Sequence, residues 1–284
     1  MKIFFSIVFL ILSISDTVAQ DKKAYQLFDK TGKKSNYKKL LKKAEQVDVV
    51  LFGEQHNSAI AHWLQFELTS DLHKTKDLIL GAEMFERDNQ NVLTQYVKKE
   101  IDKKAFDTLA RFWSNYKTDY APLVEFAKEN NLEFIATNIP RKYANQVYKQ
   151  GLQSLDGLSE EEKNWIVPLP FPFDPELPTY KEILSMMGDH GTPELVLAQA
   201  IKDATMAYSI LESRKENTLF IHYNGAYHSD FYEGILWYLK LDTPDLNYLT
   251  ISTVTQKDVT KLDAAHIGKA DFIIVVNENV TTTY

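Results

Sequence analysis

The chain has 284 residues, 44% hydrophobic and 25% charged, a balance that supports a sizeable folded core and argues against disorder. Lys and Arg number 32 against 39 Asp and Glu, and the formal net charge of -7 argues against a general nucleic-acid binder. With no cysteine, disulfides, zinc–thiolate sites, thiol catalysis and acylation of a cysteine are excluded together.

In chain order, Lys2, the apolar residues 3–14 and the small residues up to Ala19 have the form of a secretory leader. Residues 1–19 are therefore expected to be removed, leaving residues 20–284 as a single domain in the periplasm, not tethered as a lipoprotein. A Lys-rich lead-in follows, and its basic run at residues 33–43 reads as a solvated helix or linker face. Residues 48–52, ended by Gly53, form a short apolar run of the buried-strand type. Asn57 or Ser58 caps what comes next, and Ile60, Trp63, Leu64, Leu68 and Leu72 recur at helical spacing. Residues 78–85 read as a second strand and 133–136 as a third, with helical patterning at 92–97, 106–113 and 123–127 between them.

Residues 165–180 hold five of the nine prolines, which remove backbone donors and fix φ, so an extended apolar loop is expected there. Thr192-Pro193-Glu194 is a helix start, with Leu197, Ile201, Ala204, Tyr208 and Leu211 as its buried stripe. A strand at 218–222, a turn at Asn224-Gly225, a helix over about 230–239 and strands at 248–254 and 272–276 complete the pattern. Strands interleaved with helices throughout predict a three-layer α/β/α sandwich on a mainly parallel sheet.

One punctuation appears twice: an apolar strand, then Gly-x-x-His, as Gly53-Glu54-Gln55-His56 and as Gly225-Ala226-Tyr227-His228. In parallel sheets the groups just past the strand ends project into a shared crevice, and glycine lets the backbone bend tightly there. Glu83 ends another strand in the same way, and Asn138 and Arg141 follow the end of a fourth. Imidazoles and carboxylates in one crevice suit either a divalent first-row metal ion, with His56, His228, Glu54 and Glu83 as ligands, or general acid/base chemistry. His62, on the following helix about one and a half turns from the strand end, reads as a surface or interface residue. His73, His222 and His266 read as structural. No nucleophile elbow, Walker loop, His-Glu-x-x-His or Gly-x-Gly-x-x-Gly occurs.

Gly53-Glu54-Gln55-His56, Gly81-Ala82-Glu83-Met84-Phe85, Asn138-Ile139-Pro140-Arg141, Ala198-Gln199-Ala200 with Met206-Ala207, and Asn224-Gly225-Ala226-Tyr227-His228 form an ordered set over roughly residues 45–240. That set resembles the ChaN-type haem-binding uptake family, within the wider group of Tiki proteases, TraB proteins and erythromycin esterases. The resemblance implies haem as ligand, a role in iron acquisition with an outer-membrane haem receptor system, a possible homodimer enclosing stacked haems, and a tyrosine on the iron. Tyr180 and Tyr227 are the candidate iron ligands here, and His190 and Arg141 are further candidates for holding haem. A phenolate suits ferric haem, and a large apolar wall suits the porphyrin. The relatives imply an alternative, a hydrolase using Glu54, His56, Glu83 and His228 as metal ligands or proton carriers. The family's familiar member is a lipoprotein, whereas this chain has no cysteine to acylate.

Overall fold

The computed structural model describes residues 22–188 and 191–284; the expected leader and His190 lie outside the described residues. Its seven strands are β1 (Tyr25–Asp29), β2 (Val49–Glu54), β3 (Asp77–Glu86), β4 (Glu133–Asn138), β5 (Thr218–Gly225), β6 (Tyr248–Gln256) and β7 (Phe272–Asn277). They form one sheet in the order β1-β7-β6-β2-β5-β3-β4. Every pairing is parallel except the edge pair β1–β7.

Side chains alternate across a strand, so β2 sends Val50 and Phe52 to one face and Val49 and Leu51 to the other. The first face is covered by α1 (Tyr37–Ala44), α2 (Ala59–His73), α3 (Gln90–Val97), α4 (Lys103–Leu109) and α5 (Ala121–Asn130). The second is covered by α6 (Arg141–Gln150), α8 (Pro178–Met187), α9 (Pro193–Ser213) and α10 (Ile235–Asp242), with the short α7 (Glu160–Lys163) between α6 and α8. This is the three-layer α/β/α sandwich expected, and each strand buried on both faces reads as a continuous apolar run for that reason.

Four details depart from the sequence reading. The Lys-rich lead-in contains β1, whose edge position buries little beyond Leu27 and Phe28 and so leaves a faint apolar signal. The Pro-rich loop ends at Leu177, because Pro178 occupies the first turn of α8, where a missing N–H costs nothing. On α9, burial falls on Val196, Ala200, Asp203, Ala207 and Ile210 as well as on Ile201 and Ala204, while Leu197, Tyr208 and Leu211 are only half-buried. The expected helix at 230–239 starts at Ile235, since Phe231, Tyr232 and Gly234 all adopt positive φ.

Candidate functional site

β5 lies between β2 and β3, and its register sets Gly53 opposite Asn224 and Glu54 opposite Gly225. The two Gly-x-x-His segments therefore leave neighbouring strands at one level. Each glycine makes room for the other segment. A Cβ on Gly53 would sit 2.8 Å from the Ile251 carbonyl oxygen and 2.9 Å from Ala226 Cα, and one on Gly225 would sit 2.9 Å from His56 Nε2.

Glu54 is 2% exposed, and its carboxylate is fully engaged. Its Oε1 accepts from Tyr120 Oη at 2.7 Å and from His56 Nδ1 at 2.9 Å, and its Oε2 accepts from Gln65 Nε2 at 2.6 Å. Glu54 thus fixes the His56 ring and turns Nε2 toward Gly225 and the cleft. The His56 carbonyl is held from behind, by Asn115 Nδ2 at 3.1 Å and by His62 Nε2 at 3.0 Å. His62 is 8% exposed, packed against Tyr120 and near Asp119, so the surface position expected for it is corrected. Its helix, α2, turns that face inward because β2 ends directly beneath it.

Glu83, from β3, accepts the Gly225 N–H at 2.7 Å and faces His228 Nε2 at 3.3 Å. The other His228 nitrogen, Nδ1, meets Asp203 Oδ1 at 2.5 Å, and Asp203 Oδ2 accepts from Tyr180 Oη at 3.0 Å. Burial works against the charged Glu83, but the His228 imidazolium, with His56 and the Gly225 N–H, outweighs it and holds the carboxyl below the usual range. Burial likewise opposes the His228 charge, and the two carboxylates around the ring raise it well above an ordinary imidazole. Asp203 answers to the same proton yet is pushed up, because burial and repulsion from Glu83 exceed its share of the pairing. His56 is raised too: burial is offset by Glu54 and Glu83.

These groups floor one side of a cleft of about 590 Å³. Ile183, Met186, Leu195 and Tyr227 give it an apolar wall, and Thr253, Thr255 and Lys269 border the far side. Of the sequence candidates, His56, His228, Glu54 and Tyr227 line the cleft, and Glu83 sits between the two imidazoles. Tyr180 does not reach it: the side chain is 1% exposed and its hydroxyl is spent on Asp203. Arg141 stands exposed at the start of α6, away from the cleft lining. His222 is structural as read, fully buried with its nitrogens on Thr137 and Asn224. His266, read as structural, borders the cleft.

Among the described residues, no group of three or more His, Asp or Glu side chains is arranged to hold a metal ion. The set of four expected as metal ligands does not fit that role, since the Glu54 oxygens are committed behind His56. Sequence reasoning passed over Asp203, Tyr120 and Gln65. Asp203 left a trace, standing four residues after Gln199 within an apolar helix, so both face one side. Tyr120 left none, because 66 residues separate it from Glu54.

A family model described as haem-binding uptake, Tiki superfamily, ChaN matches residues 40–239. Among solved structures, the fold is similar to ChaN of Campylobacter jejuni, described as binding haem cofacially. The TM-score is 0.67 at 18% identity, over 90% of this chain and 98% of that one. A succinoglycan biosynthesis protein is similar at TM-score 0.53 and 12% identity, over 84% of this chain and 90% of the other. At such identities the likeness is one of fold. Among curated proteins, Protein RETICULATA-RELATED 5, chloroplastic, of Arabidopsis thaliana is 29% identical over 111 residues, 37% of this chain, and the chain spans only 15% of that relative's length.

Proposed function

The chain belongs to the ChaN haem-binding uptake family of the Tiki superfamily, and from that premise we propose that it is an exported haem-binding protein acting in haem and iron acquisition. The observation that carries the reading is the cleft. Its volume of about 590 Å³ lies in the range of small-molecule sites, and it pairs an apolar wall with a few polar groups, as a porphyrin with carboxylate arms requires. Tyr227 is the iron ligand in this reading. It lines the cleft, and its hydroxyl makes a long 3.4 Å contact to the Thr179 carbonyl and lies near the Glu182 carboxylate. Burial and the nearby Glu182 raise its pKa, and a bound ferric haem would supply the positive charge that favours the phenolate.

Hemin titrated into the purified protein is expected to saturate with a shifted Soret band of tyrosinate type. Tyr227→Phe should abolish that spectrum, and Tyr180→Phe should leave it. Failure to saturate, or loss with Tyr180→Phe alone, refutes the assignment. Residues 1–19 act as the leader and residues 20–284 as one domain, so mass spectrometry of protein from the periplasm should find a chain beginning at Gln20. A homodimer and an outer-membrane receptor are its proposed partners, the first of which sedimentation with and without hemin will read.

A second reading has its own support: His56, oriented by Glu54, and His228, charged between Glu83 and Asp203, pair a base with an acid in one cleft. As a hydrolase without metal, His56 Nε2 takes a proton from water as the water oxygen bonds to the ester carbonyl carbon, and His228 gives a proton to the leaving oxygen as its bond to that carbon breaks. Turnover of p-nitrophenyl esters that drops at least about a hundredfold in His56→Ala supports it. Equal turnover in both proteins removes it.

A further inference from the structure

Residues 22–43 carry nine lysines against one aspartate, whereas residues 44–284 carry 22 basic against 36 acidic groups. The chain is thus an acidic body with one strongly basic face. Seven of those lysines, Lys30, Lys33, Lys34, Lys38, Lys39, Lys42 and Lys43, are exposed on the β1–α1 turn and on α1. Among the described residues, none of the seven lies within ion-pair distance of a carboxylate. Of the acids nearby, Asp29 accepts from Thr31 and from the Lys33 N–H, Asp258 from the Thr260 N–H, Asp71 from Tyr37 and Lys74, and Glu67 from Trp63, and none forms an ion pair with these lysines.

A large aromatic accompanies the charge. Trp63 on α2 is 47% exposed and meets the Tyr25 ring of β1 edge-on at 5.9 Å, while α1 packs on α2 beside it. An exposed Trp on the helix that α1 packs against is of the kind that settles at the headgroup level of a bilayer. The stretch contains no arginine, the residue suited to bidentate phosphate contacts in nucleic acid, and lysine acts instead as a hydrated point charge. We infer that this face docks the protein on a bilayer surface rich in anionic phospholipid.

The remainder of the molecule, being acidic, is repelled by the same surface, so docking has one orientation. That orientation matters to the cleft. The Lys30 carbonyl accepts from Gly268 N–H at 3.0 Å, and Gly268 lies between His266 and Lys269, which border the cleft. A docked molecule therefore holds that rim beside the bilayer, where an apolar ligand is delivered or released. The inference does not depend on which ligand the cleft takes.

The test is co-sedimentation of the mature protein with vesicles of phosphatidylglycerol mixed into phosphatidylcholine, against vesicles of phosphatidylcholine alone. Binding to the first and not the second is expected, weakening at least about tenfold in high salt. The variant Lys38→Gln, Lys39→Gln, Lys42→Gln, Lys43→Gln should lose at least about tenfold in affinity, and the four Lys→Arg changes should retain it. Glutamine keeps helix propensity at these exposed positions, and circular dichroism checks that α1 survives. Trp63→Ala should weaken vesicle binding and remove the blue shift of tryptophan emission on docking. Equal binding to both vesicle types, an unaffected quadruple Gln variant, or tighter binding to duplex DNA than to anionic vesicles overturns the inference.

Discussion

Glu83 keeps its charge in a nearly dry position because three groups converge on it: the His228 ring, the His56 ring and the Gly225 N–H. Glu83→Gln leaves the His228 charge with Asp203 as its one carboxylate partner, so it should cost about 1–3 kcal/mol at neutral pH. The pH dependence follows from the directions of the shifts. Glu83 is depressed on folding, so its contribution is present above the unfolded carboxyl pKa and fades as pH falls through the lower folded value. His228 is raised, so its contribution is present below the unfolded imidazole pKa and fades as pH climbs through the higher folded value. The difference in stability between parent and variant should therefore be largest between those limits and shrink at alkaline pH. Urea unfolding at a series of pH values reads it, and a difference flat across pH would rule the pairing out.

At the scale of elements, the site exists because two strand-to-turn junctions interlock. Gly53 lets β6 and the second motif approach, and the neighbours a Cβ would meet are backbone atoms, which cannot rotate aside. Gly53→Ala is expected to cost about 1–3 kcal/mol and to push Ala226, and with it His228, away from Glu83. Gly157→Ala, where nothing lies within 4 Å, is the matched control and should leave thermal stability and hemin binding near parental values. If both substitutions behave alike, the interlock is not what holds the site. These junctions were legible in the sequence: at β2 and β5 an apolar run followed by glycine marks a buried strand meeting a tight turn, and the other four parallel strands were found from their apolar runs alone. Elements with a half-buried face were harder to read. β1 buries too little to stand out from its lysines, and α9 is covered on more than one side, so its periodicity blurs.

Over the whole molecule, two apolar layers share one sheet, and α9 contacts α6, α8, α10 and β4, leaving no obvious line of division. Thermal unfolding followed by circular dichroism and by tryptophan fluorescence should accordingly give one coincident transition. A ligand that binds only the folded state stabilises it by about 2.7 kcal/mol at a hundredfold excess over its Kd. Hemin at such excess should raise Tm by several degrees, about 2–4 °C per kcal/mol for a chain near this size, and Tyr227→Phe should erase the rise. Separate transitions for the two probes would refute the single-domain reading.

Local chemistry alone determined the class of fold, the paired Gly-x-x-His punctuation, the carboxylates beside it and the family, since each is written within a few consecutive residues or in their order along the chain. Strand order was beyond its reach. Only the tertiary structure put β5 between β2 and β3, and so brought His56 and His228 to one carboxylate. The same packing buried Tyr180 behind Asp203 and left Tyr227 on the cleft. The physical reason is that periodicity records whether a side chain faces inward, whereas which distant groups meet there depends on how whole elements pack.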